Sequence, residues 1–539
     1  MSLSLLSRYA FFATCVLFTL ASLPFTHHEW LWPFTLSTGI LSLIGLFDLL
    51  QQRHAVRRNY PILGNIRYLV EAIRPEIRQY LLEADSDALP FSRAQRSLVY
   101  ARAKNEASDK PFGTLIDVYE SGFEFIGHSM RPAPLADPAS FRVIVGGPQC
   151  SQPYSASIFN ISAMSFGSLS ANAIRALNQG AKLGNFHHDT GEGSISPYHR
   201  EHGGDLVWEL GSGYFGCRTP DGRFDPERFA AQARSPQVRM IEIKMSQGAK
   251  PGHGGILPKH KVTREIAETR GVLMGEDCIS PSRHSAFSTP IEMMQFIAQL
   301  RELSGGKPVG FKFCLGHPWE FMGIAKAMLE TGILPDFIVV DGKEGGTGAA
   351  PVEFTDHIGV PLREGLLFVH NTLVGLNLRD KIKLGASGKI VSAFDIASVL
   401  AIGADWANSA RGFMFAIGCI QSQSCHTNKC PTGVATQDPL RQRALVVPDK
   451  AQRVLNFHHN TLRALAEMLA AAGLEHPAQL EAKHLVRRIS ATEIKLFSQM
   501  HVFLKPGELL TGEVNGQFYS RMWQLARADS FEPNSEVAA

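Results

Sequence analysis

Three cysteines on one short loop carry the most specific chemistry in this chain. Cys419, Cys425 and Cys430 stand with five and four residues between them, and Pro431 follows the last. Soft thiolates at such spacing can wrap one compact inorganic core, and they select zinc, copper(I) or iron–sulfur over hard cations. A structural zinc takes four ligands, with His426 the nearby candidate for the fourth, whereas a three-iron cluster needs three. Three ligands and the following proline favour iron–sulfur; three half-buried core cysteines are the reading without chemistry.

Two lysines add a second signal. Lys244, in Ile241-Glu-Ile-Lys-Met245, and Lys312, in Gly310-Phe-Lys-Phe-Cys314, interrupt apolar runs, where an unpaired ammonium would cost several kcal/mol. Each must therefore meet an anion, either a strand acid such as Glu242 or Asp341 or a bound group. Glycine-rich turns could hold such a group. Gly345-Gly346-Thr347-Gly348, Gly385-Ala-Ser-Gly388 and Ala410-Arg411-Gly412 can present backbone N–H groups to a phosphate, and Gly388, Arg411 and Gly412 are the phosphate candidates; tight turns are the plain alternative. Gly211-x-Gly213-x-x-Gly216 matches a dinucleotide fingerprint but opens no helix pattern, so it is rejected; electrons must then come from another protein.

These residues need a scaffold. Phe159 to Ala163, Met240 to Met245, Val309 to Cys314, Phe337 to Asp341, Ile382 to Leu384 and Asp405 to Ser409 read as strands alternating with helix-length segments, which means parallel sheet. Polar and glycine-rich groups recur after many of them, which favours an α/β fold of the (β/α)8 TIM-barrel type over a doubly wound sheet. The 539 residues, 45% apolar, suffice for one large barrel at 151–440, with flanks at 53–150 and 441–539. The first flank has a helical stretch near Ile73 to Glu83; the second opens with a helix in which Val454, Leu455, Leu462, Leu465 and Leu469 share a face before Gly473.

Residues 1–52 differ. Tyr9 to Phe25 and Trp30 to Leu50 are apolar stretches close to the length that spans a bilayer. Their link carries no Lys or Arg, while Arg53, Arg57 and Arg58 follow, so a two-helix anchor in the cytoplasmic membrane with the rest facing the cytoplasm is expected. A signal peptide or a pair of buried core helices are the alternatives. The net charge of +3 is too mild for a nucleic-acid partner, and the eight cysteines do not form a secreted disulfide frame.

The cysteine stretch CxxxxxCHxNxCPxGVATQ resembles the cluster loop of the glutamate synthase large subunit. Met164-Ser-Phe-Gly-Ser168, Thr190-Gly-Glu-Gly193, Glu242-Ile-Lys-Met245, Gln247-Gly-Ala-Lys-Pro-Gly252 and Gly345-Gly-Thr-Gly-Ala-Ala-Pro351 resemble that family's FMN-binding synthase domain, in its order, over residues 150 to 440. The resemblance implies FMN against Met164, Ser165, Phe166 and Gly167, with Lys312 beside the flavin ring and Lys244 nearby. It implies a [3Fe-4S] cluster on Cys419, Cys425 and Cys430, Glu192 as an acid near the point where ammonia arrives, and Lys250 and Arg270 gripping a 2-oxo acid. An arginine fork suits a carboxylate, although ordinary surface charge is the bland reading for both cations. The implied activity is reductive amination of 2-oxoglutarate to L-glutamate, with ammonia or an amine from outside the chain and electrons from ferredoxin or a reductase subunit. Two positions depart from the family: Ile256 stands where Gln is usual in GGQLP, and His253 replaces a Glu. That opens a further reading, an FMN enzyme for another amino acid or an N-substituted glutamate; a separate alternative, against which Lys250 and Arg270 argue, is a membrane-anchored electron-transfer module without amination activity.

Overall fold

Eight short strands close into one parallel barrel in the computed structural model, which describes residues 3–84, 87, 89–512, 514 and 516–538. They are β1 (Phe159–Ile161), β2 (His188–Asp189), β3 (Leu206–Leu210), β4 (Val238–Lys244), β5 (Val309–Phe313), β6 (Phe337–Asp341), β7 (Lys383–Ser387) and β8 (Trp406–Ser409). Each pairs in parallel with its neighbours in sequence, and β8 closes on β1. Strands covered on both faces read as continuous apolar runs, and β5 and β6 are buried at every residue.

Six of the eight strands fall where the sequence predicts them, within a residue or two at most edges. β2 and β3 were not anticipated: β2 is two ionisable residues, and Glu209 interrupts the run of β3. The run at Ile382–Leu384 is also extended, because Gly385, Ala386 and Ser387 continue β7 beside β6. The expected Gly385–Gly388 turn is therefore mostly strand, and Gly388 alone leaves it, at φ +158°.

Helices between the strands start on side-chain caps that satisfy their free N–H groups. Ser170 accepts from Ala173 N at 3.2 Å before helix Ala171–Gly184, and Thr289 accepts from Glu292 N at 3.2 Å before Pro290–Leu303. The C-terminal helix Val447–Ala471 lies across Ala171–Gly184, where a Cβ on Gly180 would stand 2.4 Å from Val454. Its Val454, Leu462, Leu465 and Leu469 are buried as the periodicity predicts, and Leu455 is half-buried. The segment beyond is not wholly helical. Leu485–Arg488 and Ile494–Leu496 form an antiparallel sheet with Glu124–Ile126, so the two flanks of the barrel are stitched together.

The chain divides into two compact units, Met1–Asp87 and Ala88–Ala539, whereas the sequence places a boundary near residue 52. In the first, helices Leu3–Ser22 and Trp32–Leu50 pair as a hairpin, with Thr19 donating to Thr38 at 2.9 Å and Thr35 to Ser22 at 2.8 Å. Both are long and apolar enough to cross a membrane. A further helix, Gly64–Ile77 continuing as Arg78–Leu82, begins earlier than the stretch expected at Ile73 to Glu83. Residues 1, 2 and 539, at the ends of the expected segments, lie outside the described residues.

At the base of the barrel, buried Asp336 accepts from Gly147 N at 2.6 Å, Val309 N at 2.8 Å and Arg301 Nη2 at 3.0 Å. Removing one partner of a buried pair leaves an uncompensated charge. Arg301→Met should therefore lower stability by about 3–5 kcal/mol, read as a lower urea midpoint; Asp336→Asn together with Arg301→Met should recover part of the loss.

Candidate active site at the barrel mouth

The carboxyl ends of the strands open into a single cleft. Its wall collects Met164 and Ser165 after β1, Glu192 after β2, Lys244 at the end of β4, Lys312 on β5, Gly345, Gly346 and Gly348 after β6, Gly388 after β7, and Arg411 and Gly412 after β8; Lys250, Arg270 and Cys425 also face it. Nearly all the sequence candidates thus meet on one rim. Cys419 and Cys430 lie off the wall, and so do Phe166 and Gly167. Phe166 turns its ring onto Tyr198, with centroids 5.1 Å apart, and Gly167 is engaged through its backbone, its carbonyl accepting from Gln437 Nε2 at 3.0 Å.

The rim is held together by close backbone approaches. Gly191 has φ +63°, and a Cβ there would stand 2.6 Å from Ser165 N, so the loop after β2 can lie directly on the loop after β1. Arg411 donates to Thr347 O at 2.6 Å, which ties the glycine turn after β6 to the start of the helix after β8. A Cβ on Gly346 would come within 3.0 Å of Arg411 Nε, and one on Gly388 within 3.2 Å of Leu362. These turns leave main-chain groups bare on the wall, as a phosphate cradle requires.

Both strand lysines meet protein carboxylates. Lys312 pairs closely with Glu209 and lies 3.4 Å from Glu242. Glu209, Glu242 and Asp189 place carboxylate oxygens within 4.8 Å of one another, all buried. Burial opposes the charge on Lys312, but the surrounding carboxylates outweigh it and raise its pKa well above the ordinary lysine value. Burial and the neighbouring Glu209 raise Asp189 to about 7, and burial with the Asp189 charge raises Glu242 well above the ordinary carboxylate value. Glu209 was missed in the sequence, although a charge inside the apolar run Leu206-Val-Trp-Glu-Leu210 is the same signal that singled out Lys312.

Lys244 pairs with Glu192 at 3.2 Å, rather than with Glu242 or Asp341, and Ser280 donates to Glu192 at 3.1 Å. Burial opposes ionisation of Glu192, yet Lys244 and Arg270 hold its pKa at about 2. Arg270 is buried at the end of helix Arg264–Arg270, not a surface charge. Its Nη2 donates to Phe166 O at 2.9 Å, its guanidinium lies over Phe215, and its buried Nε has no partner among the described residues. Lys250 is also buried, and burial lowers its pKa. Ile256 is 51% exposed on the same wall, and His253 is tied to Gly254 O at 2.7 Å. The pocket thus gathers three cations around one carboxylate, with an apolar side chain beside them.

The cysteine loop is wound tightly against this cleft. Gln421, Gln423 and Asn428 take positive φ, and Asn428 closes the loop by accepting from Gln437 N at 2.7 Å. Tyr100 donates to Cys419 O at 2.7 Å, and Lys261 donates to both Cys425 O and Ser168 O at 3.3 Å, joining the loop to that after β1. Burial opposes ionisation of Cys430, but N–H groups of Ala435, Thr432 and Val434 and the Thr432 hydroxyl are aimed at its sulfur and lower its pKa. Burial instead pushes the Cys419 thiol up to about 11. All three thiols are free of disulfides. Soft donors on one loop, with amide groups directed at sulfur, fit an iron–sulfur centre.

Sequence comparison places the chain among known proteins. A family profile described as "Conserved region in glutamate synthase" matches residues 146–475. The chain is 36% identical over 506 residues to the glutamate synthase large subunit-like protein YerD of Bacillus subtilis, covering 86% of this chain and 96% of that one. It is 33% identical over 327 residues to the archaeal-type glutamate synthase [NADPH] of Thermotoga maritima, covering 60% of this chain and 61% of that one. Among solved structures, a flavocytochrome b2 mutant with bound pyruvate overlaps 84% of this chain and 91% of its own at 14% identity, with a TM-score of 0.39. With the profile spanning more than half of its length and a relative matched nearly end to end, the chain belongs to the glutamate synthase family.

Proposed function

We propose that the barrel binds FMN, that Cys419, Cys425 and Cys430 hold a [3Fe-4S] cluster, and that the chain carries out reductive amination of 2-oxoglutarate to L-glutamate. Ammonia would come from outside the chain and electrons from a separate ferredoxin or reductase subunit. One observation carries this reading: a single cleft wall joins the glycine turns, the Lys250–Arg270 pair and Cys425. When bound, FMN supplies the hydride that reduces an iminium carbon, and the cluster passes single electrons toward it.

The residues divide the remaining work. Gly345, Gly346, Gly348, Gly388, Arg411 and Gly412 would hold the phosphate, while Met164 and Ser165 border the ring, with Phe166 and Gly167 shaping that loop from behind. Lys250 and Arg270, the latter through its unpartnered Nε edge, would bind the keto acid's carboxylates. Glu192 stays ionised at neutral pH and offers an anionic site to ammonium arriving beside the substrate. Lys312, kept charged by Glu209 and Glu242, stands as a carboxylate-paired ammonium at the base of the cleft.

Ile256 favours a second reading, since an exposed apolar side chain stands where the family's polar residue would touch substrate: the native acid or amine is then less polar than 2-oxoglutarate and ammonia at that point. An electron-transfer module without amination remains the outcome if no 2-oxo acid is turned over. We further read the N-terminal hairpin as a cytoplasmic-membrane anchor, on its two long apolar helices and the arginines that follow them.

The purified chain should carry about three irons, as a single three-iron cluster requires, and Cys425→Ser should abolish the iron and its absorbance while leaving flavin bound. Stoichiometric zinc without acid-labile sulfide would overturn the cluster. Lys250→Met and Arg270→Ala should each weaken apparent 2-oxoglutarate affinity roughly ten- to a hundredfold, the value of a charge-assisted contact of about 1.5–3 kcal/mol. Ile256→Gln should act in the opposite direction if the native acid is less polar. Anaerobic reoxidation of the reduced flavin on adding keto acid and ammonia reads all three variants, and unchanged kinetics in both cation variants would sink the pocket assignment.

Asp189 gives a pH signature. Its native pKa near 7 lies above the usual carboxylate value, so between about pH 4 and pH 7 the folded state binds more protons than the unfolded state, and stability falls as pH rises. Asp189→Asn keeps the acceptor for Gly191 N and should flatten that fall in urea midpoints; an unchanged slope would show that Asp189 ionises normally.

A further inference from the structure

The last helical stretch of the N-terminal unit presents an apolar stripe that the unit does not use. Along Gly64–Ile77 and its continuation Arg78–Leu82, the residues Ile66, Leu69, Val70, Ile73, Tyr80 and Leu81 fall on one face at i, i+3 and i+4 spacing. They are between 43 and 77% exposed. The opposite side is the one that packs: Tyr68 meets the ring of His54 edge-on at 5.0 Å, and the Arg57 guanidinium lies 4.4 Å over it. Arg67, Arg74 and Arg78 follow one another at i, i+7 and i+11, along one edge of the apolar stripe.

The position of this helix is fixed relative to the hairpin. Asp48, buried in the last turn of Trp32–Leu50, accepts from Ile62 N at 3.0 Å and from Asn65 Nδ2. Ile62 packs beside Gly45, where a Cβ would stand 3.1 Å from it. Gly64 therefore starts level with Asp48, only two residues, or about 3 Å of helix rise, before that apolar helix ends at Leu50. A helix tethered at that depth, with an outward apolar face and arginines along its edge, has the form of an interfacial helix.

We propose that residues 64–82 lie in the plane of an anionic bilayer surface, with the Ile66–Leu81 stripe among the acyl chains and Arg67, Arg74 and Arg78 paired with headgroup phosphates. This rests on the reading of the hairpin as a membrane anchor. The bilayer is the occupant favoured over a protein surface because the pinned start puts the stripe at the end of a membrane-length helix, and three arginines against Glu71 and Glu76 leave the helix with the net sign that anionic headgroups attract.

The full chain, reconstituted in phosphatidylcholine vesicles containing about one quarter phosphatidylglycerol and a lipid with a diazirine near its headgroup, is irradiated and the adducts are mapped. Adducts on both the hairpin and residues 66–81 are expected. The Ile66→Glu/Leu69→Glu variant and the Arg67→Gln/Arg74→Gln/Arg78→Gln variant should lose those on 66–81 several-fold while hairpin adducts persist. Hairpin adducts without any on 66–81, or protein crosslinks from 66–81 to residues 88–539 or to a second copy, would overturn the proposal and leave the anchor standing. Failure of the full chain to enter vesicles would overturn the anchor and the proposal together.

Discussion

A buried ammonium group must find compensating charge, and that requirement organises the interior of this barrel. Four consecutive staves each contribute one ionisable side chain to a common patch: Asp189 from β2, Glu209 from β3, Glu242 from β4 and Lys312 from β5. An ion pair of this kind adds little net stability over a well-packed apolar core, but losing one partner is costly because the others are left unbalanced in a low dielectric. The patch therefore constrains the register of four strands at once. It also sets a charge-paired ammonium beneath the cleft, out of contact with bulk water.

Above that patch, the parallel barrel does the gathering. Each strand ends at the same rim, so loops that are far apart in sequence need to travel only a few residues to meet. Met164 and Glu192 become neighbours because Gly191 lets one loop lie on the other, and Arg411 reaches Thr347 because β6 and β8 flank β7. The cysteine loop joins the same assembly through Gln437, which donates to Gly167 O and Leu169 O, and through Lys261. The cysteine loop and the cleft are thus joined through the loop after β1, whose Phe166 carbonyl is in turn held by Arg270. Because Arg270 holds that loop as well as facing the cleft, Lys250 is the cleaner probe of the proposed carboxylate site.

Much of this was legible in the residues themselves. A charge inside an apolar run, three thiols on one loop and glycine turns after strands are local signals, and they located Lys244, Lys312, the cysteines and most of the rim. The same signal was present at Glu209 and went unread. β2 gave no signal: its two residues, His188 and Asp189, have no apolar periodicity, and they are strand only because β1 and β3 hydrogen-bond on either side. The strands at Leu485–Arg488 and Ile494–Leu496 escaped for a similar reason, since their partner, Glu124–Ile126, lies in the other flank of the chain.

The sequence alone determined the chemistry available: which side chains are soft ligands, which are cations, where strands alternate with helices, and where two apolar spans precede a row of arginines. Tertiary structure decided the partnerships. Lys244 takes Glu192 and Lys312 takes Glu209, although Glu242 is the nearer acid in the chain to Lys244; Phe166 turns away from the cleft while Ser165 faces it. Spacing along a chain reports residue type and periodicity, but which acid meets which ammonium depends on strand register and barrel closure, and these are set by hydrogen bonds between segments that no local pattern specifies.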